Sequence, residues 1–436
     1  MPPATPPAMP APPPLATLVR AGDAQTRAVP ITDFIYMVRD ISNAYLVTTQ
    51  DGDVLINTGF MDNVARNKAL LDPVRTGPLR RIILTQSHAD HFGGVPGLRE
   101  PATHIIAQAR FVENWQDMLF LQPHFAPRTR KLWGSTLKRG GAPAPPPHIF
   151  PDIVVDREYA FEQGGRRFEV ISTPDGETTD GLTVWLPQQR IAFTGNLFGP
   201  VFLSVPFLCT LRGDKQRSVR LYLSSLDRVR RLDAEMLITG HGEPVTGAAQ
   251  VRAGLDRLHA AVSYIRDETL KGMNQGKNVH TLMREVSLPP ALRIGEFHGK
   301  VSWAVRTIWE EYSGWFHYDS TTSLYGVPRS SVDRDLVQLA GGAAALADRA
   351  AARLEEGLAL EAIHLLDVAL GAEPGHAHAL AVKRAALEHV LAQAGGGNLS
   401  ETMWLKSEIA AVDAALAPPA DKACAGGDPS APIAKN

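Results

Sequence analysis

Short apolar runs, each ended by a polar turn, fill the first half of this chain. Asn43–Thr48 (NAYLVT) and Asp53–Asn57 (DVLIN) read as strands of a hairpin, with Thr49–Asp51 between them and Gly52 in the turn. A helix is predicted over Asn63–Leu71, then a buried strand over Arg81–Thr85 (RIILT) that runs into polar Gln86–Asp90. His104–Ala107 (HIIA) is a further strand and Arg110–Phe120 a helix. After a Pro-rich break at 141–147 (GAPAPPP), Arg166–Ser172, Leu182–Leu186 and Arg190–Thr194 read as successive strands. Ser218–Arg231 has the spacing of an amphipathic helix and Glu235–Thr239 (EMLIT) is again a strand. Strand pairs interleaved with helices predict an α/β or α+β fold with mixed sheets.

The pattern changes after about residue 250. Ala249–Leu270, Val279–Val286 and Lys300–Tyr312 read as helices, and Val337–Leu416 is Ala/Leu-rich with helical period. Gly357, Gly371, Glu373–Gly375 and Gly395–Gly397 are expected to divide that stretch. Its run EAIHLLDVALGAEPGHAHALAVKRAALEHV alternates small and large residues like a tetratricopeptide hairpin. One or two such units are too few for a solenoid, so a packing or dimerisation module is expected. The expected organisation is a Pro/Ala-rich disordered tail at 1–20, a catalytic domain at 21–265, a helical extension at 266–335, a helical dimerisation domain at 336–417, and a disordered tail at 418–436.

Composition narrows the function classes. The 436 residues are 44% hydrophobic and 21% charged, ordinary for a globular chain with a large core. A net charge of −2 with Lys and Arg dispersed argues against nucleic acid as a partner. Two cysteines, Cys209 and Cys424, exclude a disulfide framework and a cysteine-rich zinc module, and fit a reducing, cytoplasmic setting. The N-terminal stretch before Arg20 lacks the charged and apolar regions of a secretory signal. No apolar run is long enough to span a membrane.

The chemistry sits where apolar strands end. Thr85-Gln86-Ser87-His88-Ala89-Asp90-His91-Phe92-Gly93-Gly94 places His88, Asp90 and His91 directly after a buried strand. Desolvating two imidazoles and a carboxylate is costly unless a partner compensates, and a divalent cation with N/O ligands does so. A lone H-x-D-H is also found as a polar loop with hydrogen-bonded histidines. Three further strand ends weigh against that: Thr173–Glu177, ending in the Glu177 carboxylate; Thr194-Gly195-Asn196; and Thr239-Gly240-His241-Gly242, where flanking glycines allow a close approach to the imidazole. Each alone is an ordinary turn. Together they predict one site.

The combination of H-x-D-H with a strand-end Gly-His-Gly resembles the metallo-β-lactamase superfamily. Within it, PDGETTDGL (174–182), TLRG (210–213), GHGEP (240–244) and the LPPAL, FHGKVSWAV and YSGWF stretches (288–316) are similar to the alkylsulfatase group. The resemblance runs from about residue 40 to 393 and implies an αββα sandwich followed by an all-helical dimerisation module. It implies metal ligation by His88 at one position and by Asp90, His91 and His241 at a second, with Glu177 between. It gives Asp90 and Glu177 catalytic duty and makes Arg212 the anchor of an anionic sulfate. It also implies one or two zinc ions (iron or manganese as alternatives), a small-molecule substrate and a homodimer through 336–417.

The chain departs from that group at three positions. Gln86 stands where the superfamily motif has its first histidine, Asn196 where a second ligating glutamate is carried, and Trp303 where a Ser-His pair continues. Amides ligate weakly, so Gln86 and Asn196, with Trp303, are assigned to substrate binding, and the two metal positions are expected to be unequal. Set against the resemblance, the sterol-carrier-like domain that follows in full-length alkylsulfatases is expected to be lacking. The expected activity is hydrolysis by a metal-activated water, on a sulfate ester or related anionic ester. The alternatives are a non-sulfate ester, lactone or thioester, and a non-catalytic metal-binding descendant. The remaining histidines (His124, His148, His259, His280, His298, His317, His364, His376, His378 and His389) are read as surface or packing residues, and Trp115, Trp133, Trp303 and Trp315 as core. The basic residues Arg128, Arg130 and Lys131 with Trp133 mark an insert where a substrate lid is expected.

Overall fold

Single strands show how the layers form. On the strand His104–Gln108, Ile106 joins one apolar cluster while Ile105 and Ala107 join another. On Leu182–Leu186, Val184 joins the first of these and Trp185 a third. Side chains alternate across a strand, so each sheet has two apolar faces and needs cover on both. The computed structural model describes residues 15–137 and 147–417.

Seven strands form the first sheet in chain order: β1 Val29–Pro30, β2 Ile35–Val38, β3 Ala44–Val47, β4 Asp53–Ile56, β5 Leu79–Ile83, β6 His104–Gln108 and β7 Ile153–Val155. Pairing is antiparallel up to β4 and parallel from β4 to β7. Six strands form the second: β8 Glu158–Gln163, β9 Arg166–Ser172, β10 Leu182–Leu186, β11 Ile191–Gly195, β12 Met236–Thr239 and β13 Val245–Thr246. Here β11 and β12 pair in parallel and the rest antiparallel. Inner faces of the two sheets meet through Met37, Val47, Ile83, Ile106, Phe168, Val184, Phe193 and Ile238. The outer face of the first is covered by helices including Val64–Leu71 and Phe111–Phe120. The outer face of the second is covered by Val219–Arg231, Ala248–Asn274 and Val301–Ser313. This is the expected αββα sandwich.

The chain divides into two units, the first made of residues to Tyr325 with Ala394–Trp404, the second of Gly326–Gln393 with the residues from Leu405. The second is helical, with Asp333–Leu339, Ala343–Glu355, Ala359–Ala372 and Ala377–Ala394. Its core is rich in alanine at helical spacing, Ala343, Ala347 and Ala350 on one helix and Ala362 and Ala369 flanking Leu366 on the next. No helix among the described residues is long and apolar enough to cross a membrane.

Several expectations need correction. The expected boundary at 335/336 lies at 325/326, and 394–404 returns to the first unit. The 265/266 boundary falls inside one helix, Ala248–Asn274. Gly371 does not separate helices. It lies within Ala359–Ala372, where a Cβ would run into Asp333, so close approach and not a break accounts for the glycine. The insert before the Pro-rich break is helical over Gln122–Trp133 despite Pro123 and Pro127. The supposed tail at 1–20 includes a helical turn, Leu15–Leu18, with Leu15 and Val19 buried. Residues 1–14, most of the Pro-rich break, Cys424 and the tail at 418–436 lie outside the described residues.

Candidate metal centre

Loops at the C-terminal ends of β5, β9, β11 and β12 carry the site residues. The loop after β5 holds Gln86, His88, Asp90 and His91; that after β9 holds Glu177; those after β11 and β12 hold Asn196 and His241. The turn between β2 and β3 clamps the last loop. Asn43 N–H donates to Gly240 O (2.8 Å), the Ser42 hydroxyl to the same oxygen (3.0 Å), and the Asn43 amide to Gly242 O (2.9 Å). Space at Gly240 is tight: a Cβ there would run into the Asn196 amide oxygen and stand 3.1 Å from the His91 ring.

Asp90, His91 and His241 converge. One ligand atom from each lies within 4.8 Å of the others, and no other set of His, Cys, Asp or Glu among the described residues meets that condition. Asp90 Oδ2 is 3.7 Å from His91 Nε2 and 3.9 Å from His241 Nε2. Hydrogen bonding assigns the tautomer of His91. Its Nδ1 faces the hydroxyls of Ser42 (3.2 Å) and Thr85 (3.1 Å). Both hydroxyls have carbonyl acceptors for their own protons, Gly240 O for Ser42 and the Asn57 side-chain oxygen for Thr85. Each is therefore free to accept from Nδ1–H, which leaves the lone pair on Nε2. That Nε2 is buried and has no hydrogen-bond partner. Burial holds His91 down to about 3 and His241 to about 4, so both rings are neutral, and burial raises the Asp90 carboxyl. An orphaned lone pair, a second neutral imidazole and a partly exposed carboxylate are a donor set for a divalent cation.

His88 and Glu177, both expected as ligands, fall outside this trio and into a neighbouring ionic cluster. His88 Nε2 is 3.2 Å from Asp214 Oδ2, and its Nδ1 is 2.9 Å from the Gln86 amide. Burial works against a charge on His88, but its bonds to Asp214 and Glu177 outweigh it and raise the ring to about 9. Glu177 has one oxygen 3.0 Å from His298 Nε2, while the other accepts from the amides of Asn196 and, at 3.4 Å, Gln86. Burial opposes the Glu177 charge as well, but these histidines hold its carboxyl well below the usual range. The Asn196 amide joins the two groups, also lying 3.1 Å from His241 Nε2.

A cavity of about 240 Å³ opens over the site. Asp90, Glu177, Asn196, His241 and Arg212 line its polar end, and Trp115, Phe125, Leu132, Trp133 and Phe207 much of the rest. Arg212 is where a substrate-anchoring cation is expected, with its guanidinium 3.5 Å from Asp214. The Gln122–Trp133 helix that the sequence marks as a lid supplies six of the lining residues, Gln122 among them. Gln86 and Trp303 do not face the cavity. Gln86 is buried behind His88, and Trp303 stacks on Phe207 at 5.2 Å and acts only as its backing. His298 is no packing residue: it is buried, lines the cavity and meets Glu177. Trp115 and Trp133 line the cavity, whereas Trp315 is exposed. The sequence reading also missed Asp214 and the fully buried Arg217, whose guanidinium binds Glu177 O, Phe207 O and Asp214. The only signal was their place in the run LRGDKQR beside Arg212.

Residues 37–241 match the metallo-beta-lactamase superfamily, and residues 278–406 match the alkyl sulfatase dimerisation family. It is 27% identical over 324 residues to a linear primary-alkylsulfatase of a Pseudomonas strain, covering 68% of this chain and 60% of that protein. It is 26% identical over 365 residues to the alkyl/aryl-sulfatase BDS1 of Saccharomyces cerevisiae, covering 75% of this chain and 55% of that one. The chain thus spans little more than half the length of these relatives. In fold it resembles the stereoselective inverting sec-alkylsulfatase Pisa1 from Pseudomonas sp., with a TM-score of 0.78 over 91% of this chain and 67% of that one at 22% identity.

Proposed function

We propose that this chain is a metal-dependent hydrolase of sulfate esters that carry an apolar group. The observation that carries the reading is the trio Asp90, His91 and His241, with the His91 Nε2 lone pair buried and unpartnered at its centre. Zinc fits two neutral imidazoles and a carboxylate, and iron or manganese fits them less selectively. A cation held there supplies a Lewis acid that polarises substrate oxygen and acidifies water. Arg212 binds an anionic substrate oxygen at the polar end of the cavity, and Glu177, kept ionised by His298 and His88, accepts a proton. The apolar walls take the alcohol portion and exclude bulk water. The relatives are alkylsulfatases and an alkyl/aryl-sulfatase by name, which supports the sulfate-ester class.

One principal metal is part of this reading, because His88 is engaged by Asp214 and the Gln86 amide. So are a homodimer through the helical module, supported by the dimerisation match, and a cytoplasmic setting, consistent with two cysteines. A neutral ester, lactone or thioester is the second reading. It is favoured by Asp214, whose carboxylate already meets part of the Arg212 charge. The test is elemental analysis of protein purified without added metal, followed by assay of an alkyl sulfate, a lactone and a thioester with zinc, manganese and iron. About one metal per chain and turnover of the sulfate are expected. Two tightly held ions would overturn the single-metal reading, and turnover of only the neutral substrates would move the assignment to the second class.

A further inference from the structure

Part of the apolar wall of the metal cavity comes from a segment at the start of the described chain. Leu15 and Val19 lie one helical turn apart and are 1% and 5% exposed, whereas Thr17 between them faces solvent. Both pack against Val201 and Leu399, and both line the cavity that holds Asp90, His241 and Arg212. Leu18 beside them lies over the Gly-His-Gly loop, its Cδ2 3.4 Å from where a Cβ of Gly242 would stand. A four-residue helix has no stability of its own, so burial of this face and the anchors behind it hold the turn in place. Those anchors are specific. Arg66 donates to Gly22 O (3.1 Å), Arg39 N–H donates to the Gln25 side-chain oxygen (2.7 Å), and the Gln25 amide donates to Met37 O (3.1 Å). Other lining residues are held elsewhere: Trp115 belongs to the helix-covered core and Phe207 is stacked on Trp303.

We propose that Leu15 and Val19 set the length and bulk of the apolar group that the metal cavity accepts. They are specificity-determining residues that touch the substrate's alcohol portion and take no part in its cleavage. The substrate side of this proposal rests on the hydrolase reading above, and the wall itself rests only on the cavity. Each methylene that gains burial changes affinity about fourfold. Truncating either side chain opens room for two or three carbons, and enlarging one removes it.

The test uses the full-length protein with Leu15→Ala, Val19→Ala and Val19→Phe, compared on hexyl, decyl and tetradecyl sulfate. The ratio of kcat/KM for the longer over the shorter ester is expected to rise by up to about 15-fold in Val19→Ala and about 60-fold in Leu15→Ala, and to fall in Val19→Phe. The same ratio in all three variants, with melting temperatures near that of the parent, would overturn the proposal. Calorimetric titration with hexanoate and tetradecanoate, which need no turnover, separates the two claims. If no sulfate is cleaved but the alkanoate preference shifts as stated, the wall stands and the substrate reading falls. Unchanged alkanoate preference sinks the wall whatever the activity. Should a truncation unfold the protein, Leu15→Val and Val19→Ile carry the same comparison with smaller volume changes.

Discussion

At the scale of residues, the site works by satisfying every neighbour of His91 except one nitrogen. Ser42 and Thr85 are not ligands, yet they determine which nitrogen is free, because both hydroxyls spend their protons on other acceptors and take the ring's N–H. A Ser42→Ala/Thr85→Val variant keeps the ligand trio but releases the ring. Its zinc affinity, measured by competition with a chromophoric chelator, is expected to fall about 10- to 100-fold. The neutral rings also make the metal-stripped protein sensitive to acid. An unfolded histidine takes up its proton near pH 6.5, but the folded chain resists until about 4 at His241 and about 3 at His91. The unfolded state therefore binds more protons across that interval, and stability falls as pH drops from about 6.5 towards 4. His88 has the opposite sign: raised to about 9, its contribution is complete below about 6.5 and is lost as pH climbs through 9. Urea midpoints of chelator-treated protein should be lower at pH 5 than at pH 7, and His241→Asn should shrink the difference. Equal differences in parent and variant would refute the assignment.

At the scale of elements, strand ends and tight turns bring distant side chains together. Each ligand loop follows a strand whose apolar residues are buried on both sides, so the strand fixes the loop's origin while the loop stays free to turn towards its neighbours. Gly240 shows how little space is left between two such loops. Gly240→Ala would push its Cβ against Asn196 and His91, and the Asn196 amide or the His91 ring would have to move. Loss of retained metal with a drop of about 1–3 kcal/mol in stability is expected, read by elemental analysis and urea titration. Retained metal at the parent's level would show that the contact relaxes without moving His91.

At the scale of the whole molecule, two separate cores are built by different rules. The sandwich packs large aliphatic and aromatic side chains between sheets, whereas the helical unit brings backbones together over alanines. Ala347 is fully buried at the centre of the latter. Ala347→Phe should destabilise the helical unit by about 1–3 kcal/mol or more through overpacking. Differential scanning calorimetry should show that loss while the metal content of the sandwich is unchanged. Loss of metal in this variant would mean that the two units do not fold independently.

Much of this was determined by sequence alone. Short apolar runs ended by polar turns located β3, β4, β5, β6, β9, β10, β11 and β12, and the 3.6-residue period located the long helices, because burial of both strand faces or of one helix face imposes those patterns whatever the rest of the chain does. The polar residues at their ends, Asp90, His91 and His241 among them, were legible for the same reason: a polar cluster after a buried strand has to be explained by a partner. Tertiary structure alone decided which of those residues share one point. Asp214, Arg217 and His298 carry no local pattern. They act because folding brings residues far apart in the chain within hydrogen-bond distance of His88 and Glu177. Leu15 and Val19 look like the end of a Pro-rich tail until the cavity they line exists. A short segment has too little local energy to order itself, and only burial against the rest of the molecule gives it a conformation.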